Sequence, residues 1–244
     1  MPGRVLIAAG SDSGGGAGIQ ADIKTVTALG GYAATAISAL TAQNTRGVFA
    51  IHDVPADFVA LQMRVVLDDI GADCVKIGML HRPDVVAAVC DVLRTSARGV
   101  PVVVDPVMIA KGGDPLLTSE GMAAIKAELI PLASVLTPNL PEAVALTDGG
   151  AEADPEDLAR RLLALGPEAV LVKGGHGEGP RLVDLLACRY GTLKRFESDR
   201  IETPHTHGTG CTLASAIATG VAQGLGVVAA AAATHDTRAD TTAT

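Results

Sequence analysis

Short apolar runs alternate with stretches of helical periodicity along almost the whole chain. Val5–Ala9 is an apolar run closed by Gly10, the pattern of a buried strand ending in a loop. Beyond the glycine-rich stretch Ser11–Gly16, the spacing predicts a helix over Ala17–Leu29, stopped by Gly30–Gly31. Further strands are predicted at Ala33–Leu40, Cys74–Ile77, Val100–Asp105, Ser134–Leu136 and Ala169–Val172, with an extended segment at Gly47–Asp53. Helices are predicted from Pro55 to about Asp69, over Pro83–Leu93, from Ser119 to Leu129, and from Asp154 to near Gly166. The last of these has the clearest start: a cap at Asp154, Pro155 at the first helical position and Glu156–Asp157 in the first turn. Leu182–Cys188 and Thr192–Glu197 read as a hairpin through Tyr190–Gly191, and a long Ala/Leu/Ile helix follows Cys211.

Strand and helix alternate with no internal repeat and no linker, so residues 1–244 are expected to form a single doubly wound α/β domain. In such sheets ligands bind beyond the carboxyl ends of the strands. Gly10, Gln43, Met79, Asp105, Asn139, Lys173 and Gly208 each follow a predicted strand or extended segment, which puts them on one rim.

Composition narrows the ligand class. The chain is 48% hydrophobic and only 2% aromatic, with a net charge of −8. Scarce aromatic surface and the lack of a basic tract exclude a base-stacking nucleic-acid binder, and the charge opposes an anionic membrane partner. A small phosphorylated ligand, held by one lysine and backbone amides, is compatible with that charge. No apolar run reaches membrane-spanning length. Cys74, Cys90, Cys188 and Cys211 form no CxxC pair, and no signal peptide precedes Arg4, so a reduced cytoplasmic protein is expected.

The candidate chemistry centres on His207–Gly208–Thr209–Gly210–Cys211. A Gly-Thr-Gly turn running into a helix presents backbone N–H groups at the positive end of the helix dipole, an anion site. Cys211 falls in the first turn, where a thiolate is stabilised and its pKa is expected to fall. The same letters also describe a tight loop entering a buried helix with a small core cysteine. The first glycine loop is neither a P-loop nor a dinucleotide fingerprint, because Ala17–Gly18–Ile19 follow where Lys-Ser/Thr or a spaced glycine is needed. Asp22 lies on the helix behind it. The Gln43 amide offers a paired donor and acceptor for a heteroaromatic edge, and Met79 suits an apolar wall. Asp105, with Asn139 and Glu142 three residues apart, supplies hard oxygen ligands for Mg²⁺ held partly through water and phosphate. Lys173, at the end of a strand, can neutralise a transferring phosphoryl group. His205 and His207 lack the neighbours of a metal site.

Together these motifs resemble a known family. Ser11–Asp12, Gly15–Asp22, Ala42–Thr45, Lys76–Met79, Asp105–Met108, Thr137–Glu142, Lys173–His176 and Thr206–Cys211 occur in the order found in hydroxymethylpyrimidine/phosphomethylpyrimidine kinases of thiamine biosynthesis, within the ribokinase superfamily. The resemblance covers roughly residues 4–225. It implies a ribokinase-like three-layer α/β/α sandwich around a mostly parallel central sheet. It also implies ATP- and Mg²⁺-dependent phosphorylation of an aminopyrimidine alcohol and then of its monophosphate.

By the same resemblance Gly10, Asp22, Gln43, Met79 and Val107 surround the pyrimidine, and Asp105 and Glu142 organise Mg²⁺. Asn139, Thr206, Gly208 and Lys173 serve the nucleotide, and Gly208, Thr209, Gly210 and Cys211 form the anion hole. Ala110–Asp114 is similar to the family's mobile flap, and family members are often homodimers. Whether Cys211 accepts a proton or only shapes the anion hole stays open. A pyridoxal kinase of the same branch and a non-catalytic pyrimidine sensor are the alternatives. The sequence departs from the pattern at Gly14, often serine in the family, and over residues 226–244, where an alanine run leads into a polar ending expected to be weakly structured.

Overall fold

The structure, a computed structural model, describes residues 3–108, 116–150, 153–174, 180–201, 203 and 206–241. Its centre is one 9-stranded sheet. The strands are β1 (Arg4–Asp12), β2 (Tyr32–Asn44), β3 (Gly47–Asp53), β4 (Cys74–Ile77), β5 (Val102–Val104), β6 (Val135–Leu136), β7 (Ala169–Val172), β8 (Arg181–Cys188) and β9 (Leu193–Asp199). Their order is β3-β2-β1-β4-β5-β6-β7-β8-β9. From β2 to β7 neighbours run parallel, while β3, at one edge, and the β8–β9 hairpin, at the other, pair antiparallel.

The helices are α1 (Gly18–Ala28), α2 (Ala56–Asp69), α3 (Pro83–Arg94), α4 (Ser119–Ala124), α5 (Leu140–Thr147), α6 (Pro155–Ala164), α7 (Thr209–Ala222) and α8 (Val227–Thr241). They cover both faces, which is why the central strands read as unbroken apolar runs. Along β1, Leu6 and Ala8 join the core under α2, α3, α5 and α6. Val5, Ile7 and Ala9 join the core under α1, α7 and α8. The period-2 geometry of a strand thus feeds two apolar layers from one run, and the expected three-layer α/β/α sandwich is the fold observed.

Most predicted elements lie within a few residues of their expected bounds, and the differences have local causes. β1 passes through Gly10 to Asp12, with a register shift between Ala9 and Ser11 where it pairs with β2. β2 likewise extends past Leu40 and takes in Gln43. The predicted Ser119–Leu129 helix is α only to Ala124, then widens to a π turn over Ile125–Leu129 and tightens to a 3₁₀ turn over Ile130–Leu132. Pro131, unable to donate a backbone hydrogen bond, sits where the regular ladder stops. The expectation of a weakly structured C-terminal ending is corrected over Val227–Thr241, which forms α8. Ala230 and Ala231 are buried, and a β-carbon at Gly220 would stand 3.0 Å from that of Ala230, so α7 and α8 meet at close range. Alanine's helix propensity and this small-residue contact outweigh the polar tail. Among the described residues, no helix is long and apolar enough to cross a membrane.

Candidate active site

The parallel strands deliver their carboxyl ends to one rim. Asp105 follows β5, and its backbone N–H donates to Ile77 of β4 at 2.9 Å. Lys173 follows β7, where its N–H donates to the Pro138 carbonyl at 2.8 Å and an isolated bridge ties it to Asn139. Asn139 caps α5 through a reciprocal box: its Oδ1 accepts from Glu142 N–H at 2.9 Å, and its own N–H donates to Glu142 Oε2 at 2.8 Å. This box, tied to the bridge to Lys173, brings Glu142 to the end of the Lys173 side chain.

There Lys173 Nζ donates to Asp105 Oδ1 at 2.8 Å and stands 4.0 Å from Glu142 Oε2. Burial opposes the charge on Lys173, but Asp105 and Glu142 outweigh it and hold the ammonium above the ordinary lysine pKa. Burial also raises the Glu142 carboxyl, against the pull of Lys173 and with a push from Asp105, to about 7. Lys173 is therefore not a solvated surface lysine; it is the cation of a nearly closed triad.

The turn from Thr206 to Cys211 faces that triad. Gly208 caps α7 in the left-handed region (φ 82°), a conformation glycine adopts without the cost of a β-carbon. Among the described residues no side chain caps α7, and its first turn holds no acidic residue, so the positive helix end there is not neutralised by its own helix. A β-carbon at Gly210 would stand 3.3 Å from Lys173 Nζ and 3.6 Å from Asp105 Oδ2. Glycine at 210 thus leaves the space between the turn and the triad open. Thr209 Oγ1 donates back to the Thr206 carbonyl at 3.1 Å and closes the turn's entrance.

The expected drop in the Cys211 pKa is corrected. Burial pushes the thiol up to about 11; Lys76 pulls it down, but the nearby Asp22 and Asp105 carboxylates oppose that pull. The helix end does not overcome desolvation, so the resting residue is a thiol.

A second flank of the site is assembled from β1, β2 and the loop after β4. Met79 joins Ala39 and Leu116 in a small buried cluster against which Val107, Val48 and Ile51 pack. Met79 is held at its carbonyl by Ser38 Oγ at 2.6 Å, and a β-carbon at Gly10 would stand 2.8 Å from its methyl. Gln43 sits at the end of β2 with its Oε1 accepting from Thr41 Oγ1 at 3.0 Å. Ser13 Oγ donates to the Gln43 carbonyl at 2.9 Å and accepts from its N–H at 2.8 Å. Gly10, Met79 and Val107 thus meet in one cluster, and Gln43 borders it through its strand partner Val48.

Asp22 is placed differently from its neighbours. It is fully enclosed, with both oxygens 2.9 Å from Lys76 Nζ and Oδ1 also accepting from Ser215 Oγ at 2.6 Å. It underlies the site through Lys76 instead of facing the rim. Burial opposes the charge on Lys76, but Asp22 first, with Cys211 and Asp105, keeps its pKa above the ordinary lysine value.

The family model for phosphomethylpyrimidine kinase matches residues 12–238 of this sequence. The chain belongs to the phosphomethylpyrimidine kinase family. It is 50% identical over 231 residues to a hydroxymethylpyrimidine/phosphomethylpyrimidine kinase of Rhizobium meliloti, covering 93% of this chain and 86% of that relative. A crystal structure of the phosphomethylpyrimidine kinase from Clostridium difficile matches it with a TM-score of 0.85 at 38% identity, over 99% of each chain. The pyridoxal kinase from Staphylococcus aureus, in complex with AMP-PCP and pyridoxal, matches with a TM-score of 0.86 at 30% identity, over 96% of this chain and 85% of that one.

Against the phosphomethylpyrimidine kinase motifs, two features of this site went unread in the sequence. One is Lys76, which opens the Lys76–Met79 motif. The other is the pair of Asp12 and His207, whose side chains meet at 2.9 Å. Each partner lies far from the other in sequence, so no local spacing announces the contact. His176, His205 and the flap-like segment Ala110–Asp114 lie outside the described residues.

Proposed function

We propose that this chain transfers the γ-phosphoryl group of ATP to the hydroxymethyl oxygen of 4-amino-5-hydroxymethyl-2-methylpyrimidine, and then to the resulting monophosphate, in thiamine biosynthesis. The observation that carries this reading is the Lys173–Asp105–Glu142 triad facing Gly210 at the open end of α7, in a chain of this family. Transfer of this kind needs positioning and charge neutralisation more than covalent chemistry. Lys173 and the amides of Gly208–Cys211 supply fixed positive charge where the phosphoryl oxygens collect. Asn139 and Thr206 flank the nucleotide phosphates. Gly10, Gln43, Met79 and Val107 receive the pyrimidine, with the Gln43 amide on its polar edge. Asp22 supports that wall from below through Lys76. Cys211, a thiol at rest, lends its amide and shape to the anion hole and is not the resting base.

The residues fit Mg²⁺. Two nearly buried carboxylates face one ammonium, which leaves an anionic oxygen set, and the proton that Glu142 holds up to about pH 7 is one a cation would displace. Asp105 and Glu142 would hold the ion, which would screen the phosphate charge.

The sheet is continuous, and we take the chain as one domain. Its cysteines are free, which suits a reducing cytoplasm. On α2, Phe58, Leu61 and Val65 fall on one helix face as an exposed apolar stripe, and Phe49 of the edge strand β3 is exposed as well. We assign this face to a second copy of the chain. Light scattering behind size exclusion is expected to give twice the chain mass, falling to one for Leu61→Glu; a monomeric wild type would remove the assignment.

A mass-spectrometric time course with Mg-ATP tests the activity, with pyridoxal in a parallel tube. Successive mono- and pyrophosphate products of the pyrimidine are expected. Pyridoxal phosphate alone would transfer the chain to the sister activity. Pyrimidine binding without turnover would make it a sensor.

A further inference from the structure

The loop between β1 and α1 touches both halves of the site. On one flank Ser13 exchanges two hydrogen bonds with the Gln43 backbone, at 2.9 and 2.8 Å. On the other flank Asp12 reaches the anion turn. Its carboxylate is buried and accepts from Gly14 N–H at 2.7 Å, Gly16 N–H at 3.1 Å and Ala17 N–H at 2.8 Å. These three bonds already fold the loop around the carboxylate. A fourth comes from 195 positions away: His207 Nε2 donates to Asp12 Oδ2 at 2.9 Å, with the imidazole largely shielded from water.

Backbone contact reinforces this bond. A β-carbon at Gly208 would collide with the Gly16 carbonyl oxygen, and one at Gly16 would run into the His207 ring. The two glycine loops are therefore seated directly on each other, and the Asp12–His207 bond is the polar contact between their side chains. Lys24 steadies the same loop from outside by donating to the Gly15 carbonyl at 2.9 Å.

We infer that Asp12 and His207 are positioning residues: their bond clamps the anion turn of α7 to the loop that also holds Gln43. The distance between pyrimidine recognition and the phosphoryl site is thereby fixed by the fold itself. The inference rests on the kinase reading for its effect on rate, but the clamp itself is a statement about the resting chain. A small misplacement of the turn costs rate far more than it costs pyrimidine binding, because the turn serves the group in flight.

The test compares wild type, His207→Ala and His207→Gln, the last keeping a donor close to where Nε2 stands. Hydrogen exchange is read for the amides of residues 208–212, alongside steady-state kinetics. His207→Ala is expected to speed exchange at these amides at least about tenfold while the distal half of α7 keeps its protection. It is expected to lower kcat by about 10–50-fold with the pyrimidine KM within about threefold. His207→Gln should recover most of both. Unchanged local exchange in His207→Ala would overturn the clamp, as would exchange raised equally through the core, or a kcat loss that His207→Gln does not relieve. If wild type makes no phosphorylated pyrimidine, the kinase reading falls and the exchange data still decide the clamp. Should His207→Ala not fold, His207→Phe, which keeps a ring against Gly16 but offers no donor to Asp12, is expected to show the same local acceleration; its absence overturns the inference.

Discussion

Two lysine–carboxylate pairs stand beneath the anion turn, and they differ in one respect. Lys76 and Asp22 are sealed, with side-chain exposures of 0% and 0%, while Lys173 and Asp105 keep 11% and 3% at the rim. In the sealed pair each charge already has its partner: Asp22 takes Lys76 twice and Ser215 once, joining β4, α1 and α7. In the rim pair Lys173 is shared between Asp105 and a more distant Glu142, and Asp105 Oδ2 points towards the space left open at Gly210. Similar chemistry is thus closed off within the structure in one pair and left available at the rim in the other.

Removing rim charges gives the largest effect. Lys173→Met, which removes a phosphoryl-stabilising cation, or Asp105→Ala, which removes its partner, is expected to lower kcat/KM by about 10³-fold or more, with a smaller loss of stability than Lys76→Met because the rim pair keeps some access to water. Product-formation kinetics and calorimetry check this together, and a rim variant that melts below Lys76→Met would erase the distinction.

Removing one sealed charge should act on stability. Lys76→Met strands a buried carboxylate and is expected to cost about 3–5 kcal/mol of unfolding free energy, read from denaturant midpoints. The double variant Lys76→Met/Asp22→Leu should recover most of that loss, since replacing both ions by apolar groups of similar bulk is often nearly neutral. Failure to recover would give the sealed pair a role beyond holding three elements together.

A smaller effect, of about 10²-fold in kcat, is expected for Cys211→Ala, as for one lost oxyanion contact. The raised thiol pKa supplies a companion test. Alkylation of Cys211 by iodoacetamide is expected to be slow at pH 7.5 and to rise about tenfold per pH unit towards pH 11, because only the thiolate reacts. A rate already flat above pH 8 would mean that the helix end stabilises the thiolate after all.

The parts of the molecule legible in the sequence are those whose signals are local. β4 and β7 were bounded by their apolar runs and closing residues at Cys74–Ile77 and Ala169–Val172, as observed. Asn139 and Glu142, three apart, carried their own cap. The rim followed from strand ends alone. What escaped depends on residues that meet only after folding: Lys76 with Asp22 across 54 positions, and His207 with Asp12 across 195. The Cys211 pKa escaped because a helix-end argument omits burial, the larger influence here. The last helix escaped because its polar letters hid a buried stripe at Ala230, Ala231 and Thr234 that rests on α7.

The late place of α7 in the chain matters for its synthesis. Val5, Ile7, Cys74, Val103 and Val135 form one face of the sheet, and much of the cover over that face is Leu213, Ala214, Ile217 and Ala218. A chain leaving the ribosome has made β1, β4, β5 and β6 long before those residues emerge. Until then it presents a broad apolar face to its surroundings, a target for chaperones and for other nascent chains. The candidate site is completed by the same helix that closes this face, so an incompletely made chain lacks the Thr206–Cys211 turn altogether.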